Sequence, residues 1–117
     1  MTTDCIFCKI VAGQSPATMV KEWQEVIAIV PLNPVTKGHV LVIPKIHLKD
    51  ALEWPEITGL TMQYASEIAP NPSNIIANIG KEATQSVFHL HIHIVPRKRG
   101  DGLALPWHSG IGQPAID

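Results

Sequence analysis

The sequence predicts an α+β fold, five strands in a mainly antiparallel sheet with two helices, on three observations. His89-Leu90-His91-Ile92-His93-Ile94-Val95 alternates imidazole and aliphatic at the two-residue period of a strand. His39 to Lys45 shows the same period, with His39, Leu41 and Ile43 on one face and Val40 and Val42 on the other. Between these strands, Ile57, Leu60, Tyr64 and Ile68 recur at helical spacing.

The elements follow in order. Cys5 to Ala12 is a short helix, ended by Gly13 and Pro16. Thr18–Trp23 and Val26–Val30 are strands joined by a tight polar turn. Pro31 to Gly38 is a loop with two prolines. After the His39–Lys45 strand, Leu48 to Trp54 is a connection. Pro55 opens a helix where a missing N–H does no harm, and Pro70, Asn71 and Pro72 end it. Asn74–Ile79 is the fourth strand. Phe88–Val95 is the fifth, with Phe88, Leu90, Ile92 and Ile94 facing away from the three imidazoles. The tail from Pro96 is loop-like and offers Trp107 as an anchor.

A length of 117 residues is expected to form one domain, residues 1–117, with 96–117 as its tail. The chain is 45% hydrophobic and 16% charged, with a formal net charge of −1, so bulk nucleic-acid binding is not expected. No apolar run approaches the ~20 residues of a membrane span. The start, Met1-Thr2-Thr3-Asp4, has no basic segment followed by an apolar one, so a cytoplasmic location and reduced thiols at Cys5 and Cys8 are expected.

Five constellations carry chemistry. Cys5-Ile6-Phe7-Cys8 has the spacing of two zinc thiolates, of a redox pair, or of two ordinary buried thiols; zinc would need two further ligands, and histidines are available. Three imidazoles on one strand face fit metal binding, acid–base chemistry or a histidine nucleophile whose tautomer its neighbours fix. Asn78, Gly80, Gln85 and Ser86 lead into them with small and amide groups able to donate to an anion. His39 and His47 stand at either end of the third strand, where each can converge on the histidine face. Arg97-Lys98-Arg99 reads first as a solvated basic turn.

Together these segments resemble the histidine triad superfamily of nucleotidyl hydrolases and transferases. The likeness runs from Cys5 to about Pro96 and is carried by His89 through Val95, Gln85-Ser86-Val87, Gly38 through Lys45, and His47. The amino-terminal Cys-x-x-Cys is similar to that of the small prokaryotic-type histidine triad proteins. The resemblance implies a HIT-like fold that dimerises into a ten-stranded sheet, with the Pro55–Ile68 helix at the interface. It implies that His91 attacks the α-phosphate of a purine nucleotide, of the phosphoramidate or dinucleoside polyphosphate type, and forms a nucleotidyl-histidine that water hydrolyses. His39 and His93 would brace His91, and Asn78 and Ser86 would contact the phosphate or the leaving group, with Gln85 beside them. Zinc-bearing relatives imply a structural Zn²⁺ at Cys5, Cys8, His47 and His89, with no organic cofactor. A nucleotide-binding module with little turnover and a triad-zinc metallohydrolase are the alternatives.

The chain also departs from the family pattern. Pro31 stands where relatives place Asp or Asn on the ribose, leaving Asn33 as the nearby candidate. Thr84 stands where Gly is common, and a β-branched residue disfavours positive φ, so a reshaped phosphate loop is expected. Ser15 replaces a common Glu. Asn78 resembles the phosphoramidase branch, where the dinucleoside-polyphosphate branch tends to have Gln. In the tail, Trp107 is expected either to wall the pocket, with His108 beside it, or to cover the core; Arg97 and Lys98 are expected near the polyphosphate end of a substrate.

Overall fold

The structure is a computed structural model that describes residues 4–104. Trp107 and His108, and the roles expected of them, lie outside the described residues. The elements are α1 (Ile6–Val11), β1 (Thr18–Glu22), β2 (Val26–Val30), β3 (Val40–Pro44), α2 (Pro55–Ile68), β4 (Ser73–Ile76), a 3₁₀ turn at Lys81–Ala83, and β5 (Ile92–Pro96). The strands form one antiparallel sheet in the order β1-β2-β3-β5-β4.

Strand alternation divides the core between the two faces of this sheet. Val26, Ala28, Val42, Ile92 and Ile94 pack with Ala65 of α2. Ile27, Ile29, Leu41 and Ile43 pack with Phe7 of α1. Burying one such aliphatic side chain stabilises by roughly 1.5–3 kcal/mol. On α2 the deepest residues are Thr61 and Ala65, small side chains that let the helix approach the sheet. Tyr64 and Ile68 of the expected stripe flank them on the same core. Thr61 is satisfied where it is buried, because its hydroxyl donates to the Ile57 carbonyl at 2.7 Å. Pro55 does open α2. Among the described residues no helix is long and apolar enough to cross a membrane.

Three expectations are corrected. The fourth strand is Ser73–Ile76, shorter than Asn74–Ile79. The fifth begins at Ile92, because the chain bends at residues 87–89 and the Leu90 N–H bonds the Leu48 carbonyl at 2.7 Å instead of a sheet neighbour. That bend also turns Phe88 out, 43% exposed, while Leu90, Ile92 and Ile94 stay buried.

After β5, Arg97 is committed to the chain itself. Its guanidinium donates to both carboxylate oxygens of Asp101 at 2.7 and 3.0 Å, to Asn74 Oδ1 at 2.7 Å and to the Leu103 carbonyl at 2.7 Å. Asp101 in turn accepts the Lys98 and Leu103 amides, and with Arg97 beside it its carboxyl is held well below the usual range. Arg97 therefore clasps residues 97–103 to β4.

Candidate functional site

The first group of donors is built by α1. Cys5 caps this helix, its Sγ accepting the Cys8 N–H at 3.3 Å, so both thiols sit on one turn. His89 Nε2–H donates to the Pro44 carbonyl at 2.8 Å, because a carbonyl oxygen only accepts. The lone pair of His89 Nδ1 therefore faces Cys5 Sγ at 3.4 Å, Cys8 Sγ at 3.5 Å and His47 Nδ1 at 3.2 Å. Cys8 Sγ lies 3.2 Å from His47 Nδ1. A tetrahedral zinc at about 2.0–2.3 Å from nitrogen and sulfur spans ligand–ligand edges of about 3.3–3.8 Å, so this donor set fits the ion in chemistry and in spacing. Burial pushes the His89 pKa down to about 4, opposed by the Pro44 carbonyl, and His47 and His91 lower it further. The imidazole is thus held neutral, the form that ligates. The Pro44 bond is the outer contact that ligating histidines usually carry.

The second group is on the same side of the sheet. Val40 pairs with Ile94 and Leu41 with His93, which makes His39 and His93 diagonal neighbours on one face. Gly38 introduces this turn at φ 88°, and a Cβ there would meet Pro96 Cγ at 3.1 Å. The polar hydrogens follow by elimination. The Val35 N–H donates to His39 Nδ1 at 3.1 Å, so neutral His39 carries its proton on Nε2. His39 Nε2–H then donates to His93 Nδ1 at 3.0 Å, which leaves the His93 proton on Nε2. His91 Nδ1–H donates to the His89 carbonyl at 2.8 Å, which leaves the His91 lone pair on Nε2. The His91 and His93 rings lie 5.1 Å apart. Burial lowers the pKa of His39, of His91 and of His93, the last to about 4 with His91 and His39 lowering it further.

Phe7 roofs this arrangement. Its ring meets His91 edge-on at 5.1 Å and His89 at 5.9 Å. Phe7 has no role in the sequence analysis, although its place between Cys5 and Cys8 on one helical turn is a usable signal.

The loop before the histidines is internally braced. Thr84 adopts φ 71°, a left-handed conformation that favours glycine. Its N–H bonds the Lys81 carbonyl at 3.0 Å. Gln85 is buried, and its side chain is spent on backbone: Oε1 accepts the Gly80 N–H at 2.9 Å, and Nε2 donates to the carbonyls of Lys49 at 2.8 Å and Val87 at 3.1 Å. Ser86 is exposed and lines a cleft of about 630 Å³ together with Cys5, Ile6, His47 and Phe88. Asn78 is half-buried beyond β4, and Asn33 is exposed in the loop that supplies the Val35 amide.

The family model described as HIT domain matches residues 12–100. "Protein hit" of Bacillus subtilis is 40% identical over 114 residues, covering 89% of this chain and 79% of its own length. The adenosine 5'-monophosphoramidase hnt1 of Schizosaccharomyces pombe is 37% identical over 111 residues, 90% of this chain and 84% of its own. Among solved structures, a zinc-bound histidine triad family protein from Mycobacterium smegmatis superposes with a TM-score of 0.77 at 38% identity, covering 86% of this chain and 80% of its own. A match running from the end of α1 through β5, with the histidines gathered on one sheet face, makes this chain a member of the HIT domain family.

Proposed function

We propose that the protein is a nucleotidyl hydrolase that cleaves a purine nucleotide at its α-phosphate, with His91 as nucleophile. The observation that carries this reading is the 2.8 Å bond from His91 Nδ1–H to the His89 carbonyl. It leaves the lone pair on Nε2 and suits the cationic ring that forms once Nε2 bonds to phosphorus. In the first step that P–N bond forms as the bond to the leaving group breaks. Water then attacks phosphorus and His91 departs as a good leaving group. His93 Nε2–H, fixed by the chain from Val35 through His39, donates to a phosphate oxygen. Ser86 and Asn78 add donors there, Gln85 holds their loop in place, and Asn33 takes the ribose side in place of Pro31. A phosphoramidate is the substrate class favoured by Asn78 and by the name of the Schizosaccharomyces pombe relative.

Cys5, Cys8, His47 and His89 would hold a structural Zn²⁺. A closed Cys₂His₂ site supplies folding energy and leaves no position for substrate. Among the described residues this is the group of donors that converges on one point, whereas His39 and His93 use facing nitrogens on each other. That arrangement speaks against a metal on the triad. The test is a single turnover of adenosine 5'-phosphoramidate, quenched and mapped. A nucleotidylated peptide containing His91 is expected. Tight nucleotide binding with neither adduct nor product would overturn hydrolysis and leave a binding module.

A further inference from the structure

We propose that Cys5 is a peroxide-reactive thiol, and that Cys8 resolves its oxidised form into a disulfide that dismantles the metal site. The inference concerns the thiols and stands apart from the nucleotidyl chemistry. It rests on an asymmetry within the donor group. Cys8 is 1% exposed and His89 0%, whereas Cys5 and His47 are only part-buried and form a wall of the cleft of about 630 Å³. A small oxidant entering that cleft meets the Cys5 sulfur first. The Cys8 N–H donates to that sulfur at 3.3 Å and supports negative charge on it. The resolving partner is close. Both sulfurs lie within 3.5 Å of His89 Nδ1, and all four donor atoms lie within 4.8 Å of one another.

The chemistry balances with hydrogen peroxide as oxidant. The Cys5 thiolate attacks one peroxide oxygen, the O–O bond breaks, and hydroxide leaves to become water. The resulting sulfenic acid is attacked at sulfur by the Cys8 thiolate, an S–S bond forms, the S–O bond breaks, and a second hydroxide leaves. Two thiolates lose two electrons and one peroxide becomes two waters. A metal held by Cys5, Cys8, His47 and His89 would then lose two of its four ligands together.

The test treats the zinc-loaded full chain with hydrogen peroxide and follows intact mass, alkylatable thiol and free zinc. A loss of two hydrogens is expected, with zinc released in step and the mass restored by dithiothreitol. The segment Met1–Lys9 contains both thiols, so a wild-type peptide map locates the bond without any variant. With a sulfenic-acid trap, Cys8→Ser is expected to label at Cys5 about tenfold faster than Cys5→Ser labels at Cys8. Equal labelling rates would overturn the proposal. So would oxidation that stops at a sulfinic acid on Cys5 with Cys8 still alkylatable, or two thiols that persist through the treatment. The thiol readouts need no metal, so a preparation without zinc still decides the matter.

Discussion

The carbonyl oxygen of His89 accepts the Nδ1–H of His91 at 2.8 Å, while the ring of the same His89 faces the thiols of Cys5 and Cys8. One residue therefore belongs to both groups of the site. Whatever fixes the His89 ring also steadies the carbonyl that sets the tautomer of His91. Phe7 adds a second link, since it sits on the helix that carries both cysteines and touches both histidines.

Metal removal tests this coupling. One zinc per chain is expected, and chelation is expected to lower the melting temperature by about 10 °C or more, because a closed metal site contributes several kcal/mol. Cys5→Ser should lower it in the same direction. Turnover should decline with unfolding of α1, and not at once as it would for a catalytic metal. Metal-free protein of undiminished stability would reject the site.

His91→Asn removes the nucleophile and keeps a polar group of similar size. Turnover is expected to fall by roughly a thousandfold or more, with the melting temperature nearly unchanged. A variant that keeps about a tenth of the activity would take His91 out of this role.

Much of this site was legible because it is local. The alternation at His89–Val95, the Cys5–Cys8 spacing and the His39–Lys45 strand each follow from a few consecutive residues. What sequence left open depends on long-range bonds. The bend before Leu90 is made by Leu48, and the loss of Arg97 to Asp101 and Asn74 needs two elements brought together. The division of labour among the histidines is of the same kind. His89 turns to the cysteines because Pro44 offers a carbonyl, and His93 turns to His39 because the β3–β5 register makes them diagonal.

Thr84 holds a backbone conformation that suits glycine, at φ 71°. A left-handed conformation costs an L-residue about 1–2 kcal/mol, part of which glycine's extra freedom in the unfolded chain cancels. Thr84→Gly is therefore expected to stabilise the protein by about 0.5–1 kcal/mol in denaturant unfolding, without loss of turnover. A destabilised Thr84→Gly would show that the Thr84 side chain supports the loop.

Acid should weaken the fold through His93. Burial is the main cause of its low pKa, about 4, with His91 and His39 adding to it. Below its ordinary value of 6.5 the unfolded chain takes up a proton that the folded chain refuses. Stability is then complete above that value and falls as pH drops from 6.5 towards 4. His93→Gln should flatten this part of the stability profile. An unchanged slope in the variant would assign the acid sensitivity to other groups.

Among the described residues the sheet has two open edges, and they are not equivalent. β1 is exposed along its length, carries Lys21 and Glu22, and has a register shift between Met19 and Lys21, features that discourage pairing with another chain. β4 is half-buried throughout and has no such irregularity in its pairing with β5. On α2, Tyr64 stacks on Trp23 at 4.7 Å and Ile68 packs on the chain's own core, so Ile57 and Leu60 are left from the expected stripe to face a partner. A homodimer joined at β4 and α2, which continues the sheet to ten strands, is therefore expected. Light scattering at micromolar concentration should give twice the chain mass. Hydrogen exchange should show β4 amides that lose protection on dilution while β1 amides do not change. A monomer, or protection that follows β1, would reject this assembly.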